Sequence, residues 1–291
     1  MEIQPLFERF VQERQFLKNV RPKTLTWYET SFRAFSPFLV SVETEEALRA
    51  QLKEGVISMA KAGNLAPVSL NSYSRCLNAF LNWLRKEGHV NATIRIERLK
   101  EKQCVIETLT DQQIERVVRY SPKGVNLRRV HVMALTALDC GLRASEVRLL
   151  RRQDVDFDNL LVKVDQGKGN KERIVPMSAA LRRILFRHAS KESNPQADFL
   201  FSTNHGSAVL LRNMQRDLAK LGESAGVGHL RFHLLRHTMA TRFLRSGGSI
   251  AVLRRILGHA SITTTMVYEH MQTADLTAEH ARHSLLTSLR A

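Results

Sequence analysis

Cysteine is scarce in this chain: Cys76, Cys104 and Cys140 stand singly among 291 residues, and no CxxC pair occurs. Neither a disulfide framework nor a thiolate zinc site fits that pattern. Long apolar runs are missing too. No stretch reaches the about 18 uncharged apolar residues that a spanning helix needs. The opening MEIQPLFERF carries acids among its apolar residues, unlike a basic-then-apolar leader. The expectation is a cytoplasmic protein without a membrane segment. Acids are in short supply, 28 against 44 Lys and Arg, which leaves a net charge of +16. A pI near 10.3 makes a polyanion, nucleic acid first, the expected partner. Internal repeats and low-complexity tracts are absent as well.

What is present reads as a folded protein. Hydrophobic content of 43% and charged content of 25% are ordinary, so the basic charge sits on a globular body of a length that suits two domains. Both parts are basic: residues 1–100 hold 15 Lys and Arg against 10 acids, and residues 101–291 hold 29 against 18. A protein gripping a duplex from two sides needs that distribution.

Residues 1–90 read as a four-helix domain. Leu6, Phe10, Val11 and the pair Phe16, Leu17 recur at helical spacing. After Pro22, a second stripe runs through Leu25, Tyr28, Phe32, Phe35 and Phe38. Thr44 is placed to cap a third helix that Gly63 closes. Pro67 opens a fourth, with Leu70, Tyr73, Leu77, Phe80, Leu81 and Leu84 on one face, ending at Gly88. The aromatics, Trp27 and Trp83 included, are expected in the core. Residues 91–108 are charged and lack sustained period, as an exposed interdomain linker would.

Residues 109–291 form the second domain in this reading. Helical patterns at about 110–120 and 127–140 lead to a turn at Gly141 and a short helix from Ala144. The period then shortens: Leu160, Leu161, Val162, Val164, Ile174 and Val175 predict a small antiparallel sheet with residues 166–170 as its turn. Helices follow at about 178–189, 209–221, 232–246, 249–257, 261–270 and 277–289. The fold class is mainly α with one small sheet.

Basic residues gather beside glycines and helix ends in Cys140-Gly141-Leu142-Arg143-Ala144-Ser145-Glu146, Gly167-Lys168-Gly169-Asn170-Lys171-Glu172-Arg173, His233-Leu234-Leu235-Arg236-His237 and Leu257-Gly258-His259. Tyr268 stands nine residues beyond His259. Guanidiniums match phosphate oxygens, an ammonium on a turn reaches a leaving oxygen, and imidazoles move protons. Carboxylates able to hold Mg²⁺ are few near these segments, which leaves a protein nucleophile, Tyr268, as the natural route through a phosphodiester. His233 and His237 have the i, i+4 spacing of a zinc pair, but Leu234 stands where HExxH carries its carboxylate. No metal and no cofactor is expected.

This order of Arg, Lys, His-x-x-Arg, Gly-His and Tyr resembles the tyrosine recombinases, or phage integrases, and more closely their short Xer-like members. The resemblance covers both domains. It implies a SAM-like core-DNA-binding domain followed by a catalytic domain of the DNA breaking-rejoining fold. It also implies site-specific recombination through a 3′-phosphotyrosyl intermediate, with Arg143, Lys168, His233, Arg236, His259 and the nucleophile Tyr268 as catalytic residues and Glu146 in support. Lys171, Arg173 and His237 are then expected to touch DNA, and Lys171 is the rival to Lys168 as acid. The residue after His233 is commonly aspartate in the family and here is Leu234.

Expected partners are double-stranded DNA with short inverted-repeat core sites and, in the synaptic complex, three further copies of the chain, with a monomer free in solution. The apolar stripe Ala281, Leu285, Leu286 and Leu289 on helix 277–289 is expected to dock onto a neighbouring subunit, with packing on its own domain as the alternative. The short start implies no additional arm-binding domain. A type IB topoisomerase and a non-catalytic DNA-binding regulator are the alternatives.

Overall fold

The computed structural model describes residues 2–39, 42–101, 106–165, 172–191 and 194–258. The chain divides into two compact units, Met1–Cys104 and Val105–Ala291.

Unit 1 holds α1 (Ile3–Phe16), α2 (Pro22–Phe35), α3 (Glu45–Lys61) and α4 (Pro67–Lys86), the four helices that the sequence predicts. Pro22 and Pro67 each sit in a first helical turn, where a missing N–H costs nothing. The Thr44 hydroxyl accepts from the Ala47 N–H at 3.1 Å and so caps α3. Phe7, Phe10, Phe32 and Phe80 form the ring cluster of the core, with Phe7 stacked on Phe32 at 3.9 Å between centroids. Phe16 and Leu17 depart from expectation, each 74% exposed, because α1 ends there and its buried face is Ile3, Phe7 and Phe10.

The expected linker, residues 91–108, also departs. Ile94 and Ile96 are buried in the core of unit 1. The Asn78 side chain donates to the Ile96 carbonyl (3.0 Å) and accepts from the Ile96 N–H (2.8 Å). Asn71 does the same with Leu99, at 2.9 and 2.8 Å. The spacing explains the fit: seven residues of helix rise about 10.5 Å, and three residues of extended chain span about 10 Å. Each amide supplies the donor and acceptor that a neighbouring strand would. At the far end of the expected linker, Ile106 packs against Ala240, Leu244, Leu253 and Leu257 of unit 2.

Unit 2 runs α5 (Asp111–Arg119), α6 (Val125–Cys140), α7 (Ala144–Arg148), β1 (Val155–Asp156), β2 (Leu161–Asp165), β3 (Glu172–Pro176), α8 (Ala179–Lys191), α9 (Leu211–Ser224), α10 (Phe232–Arg245) and α11 (Ile250–Leu257). Helix α6 is its axis, packed by α8, α9 and α10, with Val130, Met133, Ala134 and Ala137 buried. The strands pair antiparallel in the order β1-β2-β3, with Val162 opposite Val175 and Val164 opposite Arg173. Alternation therefore puts Arg173 on the buried face among three valines. Among the described residues no helix is long and apolar enough to cross a membrane. The predicted turn 166–170 and helices 261–270 and 277–289 lie outside the described residues.

Candidate active site

The Gly141-to-Glu146 segment is a helix stop joined to a helix start. Helix α6 ends at Cys140, and Gly141 takes the left-handed conformation (φ 65°), its N–H donating to Ala137 O at 3.0 Å. Leu142 is fully buried. Arg143 then stands at the N-cap of α7, and Glu146, three residues on, reaches back to accept from the Arg143 N–H at 2.8 Å. The same carboxylate accepts from Arg143 Nη1 at 2.7 Å.

Two further arginines close on this carboxylate. Arg173 grips it end-on, Nη1 and Nη2 each 2.9 Å from an oxygen, while Arg173 Nε donates to Ile256 O at 2.7 Å. Arg236 Nη1 lies 4.0 Å from Glu146 Oε2. Burial alone would raise the Glu146 pKa, but the hydrogen bonds and charge of Arg173, then those of Arg143, outweigh it and hold the group at about 2. Glu146 stays ionised and fixes three cations around itself.

Arg236 ties two helix ends together. Its Nη1 donates to Gly141 O at 2.7 Å and its Nη2 to Leu257 O at 2.8 Å. Leu257 is the last residue of α11, and Gly258 after it is left-handed like Gly141 (φ 65°). Two helix C-termini, each carrying partial negative charge, thus converge on one buried guanidinium. The approach is close enough that a Cβ on Gly141 would lie 3.0 Å from Leu257 Cδ2.

His233 and His237 stand one turn apart on α10, ring centroids 5.0 Å apart. Burial lowers both pKa values, and neighbouring charge lowers them further: Arg236, Arg143 and Arg231 for His233, and His233 and Arg236 for His237, which falls to about 4. Both rings are neutral at pH 7, so His233 can accept a proton. It opens on a cleft of about 560 Å³ lined also by Ala144, Gln215, Arg216, His229 and Arg231.

The structure thus gathers Arg143, Arg173 and Arg236 around the Glu146 carboxylate, with His233 and His237 beside them on α10. Lys168, Lys171, His259 and Tyr268 lie outside the described residues. Arg173, expected to touch DNA, is instead turned inward: its side chain is 7% exposed and donates to Glu146 and to the Ile256 carbonyl. The signal was its phase with Val175 in a strand of period two. Sequence reasoning also missed a cleft of about 780 Å³ in unit 1, between α4 and residues 93–101, lined by Arg75, Arg85, Arg95 and Arg98. Arg75 lies over the Trp27 ring at 5.4 Å, and Trp27 Nε1 donates to Ser72 on the same helix. Among the described residues, no three His, Cys, Asp or Glu side chains gather as a metal site would require.

Residues 107–275 match the phage integrase family. A tyrosine recombinase XerC of Oceanobacillus iheyensis is 27% identical over 300 aligned positions, covering 99% of this chain and 96% of that protein. The XerC of Shewanella amazonensis is 29% identical over 267, covering 90% and 89%. Among solved structures, the Tn1549 transposon integrase in complex with a circular intermediate DNA superposes with a TM-score of 0.81 at 20% identity, covering 97% of this chain and 99% of that one. A lambda integrase dimer bound to a core site gives 0.73 at 15%, covering 92% and 77%.

Proposed function

Because the chain belongs to the phage integrase family, it is a tyrosine recombinase acting on DNA at specific sites, and we propose that Tyr268 carries its reaction. The Tyr268 oxygen bonds to the scissile phosphorus, the bond to the 5′ oxygen breaks, and a 3′-phosphotyrosyl link remains. Attack by the 5′-hydroxyl of a second strand reverses the step, so bond energy is kept and neither nucleotide nor metal is consumed. His233 takes the tyrosine proton and Lys168 protonates the leaving oxygen. Arg143, Arg236 and His259 neutralise the phosphorane oxygens, and one lost donor of this kind costs about 10²–10³ in rate.

The observation that carries this reading is the Glu146 cluster. It holds Arg143, whose side chain is 37% exposed, beside the buried Arg236, with a neutral histidine on the same helix as Arg236. Charges fixed before substrate arrives need no reorganisation as phosphorane charge grows. Phosphates of the duplex are gripped in unit 1 by Arg75, Arg85, Arg95 and Arg98, and beside the catalytic residues by Lys171 and His237. The working assembly is a homotetramer on paired inverted-repeat core sites in the cytoplasm, with helix 277–289 docked onto a neighbouring subunit. Incubating wild type and Tyr268→Phe with a nicked suicide duplex tests the core of this. The variant should bind the duplex yet yield no covalent adduct, and an adduct of normal yield removes Tyr268 from the mechanism.

A further inference from the structure

Helix α8 presents a face that the recombination chemistry does not use. Leu181, Leu185 and His188 point into the core, and on the opposite side Arg182, Arg183, Phe186, Arg187 and Lys191 are exposed. Spacings of four place Arg183, Arg187 and Lys191 in one row and Arg182 and Phe186 in the next. The 13 residues of this helix include no acid. On α5, by contrast, Arg119 pairs with Glu115 at 2.9 Å. Arg183 and Arg187 have no ion-pair partner among the described residues. Nearby stand Asp156, the last residue of β1, and Asp158 in the turn after it, but Asp156 is engaged by Asn159 and by the turn's own backbone.

The face also has a fixed apolar centre. Phe186 is 58% exposed, and Phe157 meets it edge-to-face at 5.6 Å between centroids. Arg182 Nε donates to Phe157 O at 2.6 Å, which pins that turn to α8. A rigid aromatic ringed by cations suits an anchor contact better than a solvated surface.

We infer that this face docks an acidic, amphipathic segment of a partner protein, whose apolar side chain covers Phe186 and whose carboxylates pair with Arg183, Arg187 and Lys191. Duplex DNA meets the cations equally well, but offers the phenyl ring only its charged backbone. A second copy of this chain, with 28 acids against 44 Lys and Arg, is poorer in the carboxylates that this row would pair with. The segment in question lays its apolar positions along the ring pair and its acids along the row beside it.

Anisotropy with the full chain and three labelled probes tests this: an amphipathic peptide of Glu, Leu and Trp, a polyglutamate of equal length, and a duplex. The amphipathic peptide should bind about tenfold tighter than polyglutamate. Phe186→Ser and the pair Arg183→Glu, Arg187→Glu should each weaken it about tenfold. Phe186→Leu should retain it, and duplex affinity should not move. Equal binding of the two peptides, or peptide binding indifferent to the variants, makes this a solvated basic face and overturns the inference. Loss of duplex affinity in the charge-reversed protein makes it a DNA contact, and overturns it too.

Discussion

Replacing Glu146 by Gln keeps the shape of the carboxylate and removes its charge. Two routes give the size of the effect. The group ionises at about 2 in the folded protein against an ordinary 4.5, and at 1.36 kcal/mol per unit that difference is worth about 3 kcal/mol. Breaking a buried ion pair on one side costs about 3–5 kcal/mol, because Arg173 is left charged at 7% exposure. For a unit running from Val105 to Ala291, about 3 kcal/mol corresponds to a fall in melting temperature of roughly 6–12 °C. The pH dependence identifies the cause. A lowered carboxylate pKa gives stability that is complete above pH 4.5 and lost as pH falls towards 2, since the unfolded chain takes up the proton first. Wild type should lose this contribution across that window and Glu146→Gln should have none to lose. Calorimetry at pH 7, 4 and 3 measures both. A melting temperature within 2 °C of wild type at pH 7, or parallel acid profiles, would refute the buried cluster as described.

Gly141→Ala forces a left-handed alanine, at about 1–2 kcal/mol, and brings a methyl 3.0 Å from Leu257 Cδ2. Because the Gly141 carbonyl holds Arg236, strand cleavage should fall more than tenfold while the melting temperature drops by only roughly 2–8 °C; equal activity would unlink the turn from catalysis. Lys168→Ala should be slow on an ordinary phosphodiester and recover on a 5′-phosphorothiolate, whose leaving group needs no proton. Rescue of Lys171→Ala instead would move the acid role to Lys171. His237 stays neutral down to about pH 4, so folding stability should decline from pH 6.5 towards 4 as the unfolded chain protonates first. His237→Gln should flatten that decline in urea titrations, and an unchanged slope would mean that the ring is not held neutral by its surroundings.

Elements set by local rules were readable in advance. Pro22, Thr44 and Pro67 start helices by their own chemistry, and Gly141 and Gly258 stop them by accepting a left-handed turn. Arg143, Glu146, His233 and Arg236 were picked out by their short motifs together with the family resemblance, and cap and helix geometry brings them close in the fold. The role of Arg173 was not, since it depends on Glu146, 27 residues away, and on the carbonyl of Ile256. The same holds for residues 94–99. Their charges at positions 95, 97 and 98 read as solvent-facing, and the two asparagines that hold the backbone lie 18 and 28 residues earlier. Phe16 and Leu17 misled in the opposite direction, because composition does not reveal that a helix ends before its last apolar pair reaches the core.

The paired asparagines of α4 act as a ruler. Because Asn71 and Asn78 are two helical turns apart, the chain between Ile96 and Leu99 has one permitted length. A single inserted residue there leaves only one of the two clasps able to close. A fragment cut after residue 90 would lack Ile94 and Ile96, and would leave open both amides and the apolar strip they cover. One carried through Glu101 retains the whole seam, with the Glu101 carboxylate also accepting from the Asn71 amide. A fragment ending at residue 101, and not one ending with the fourth helix, therefore keeps every bond of this seam.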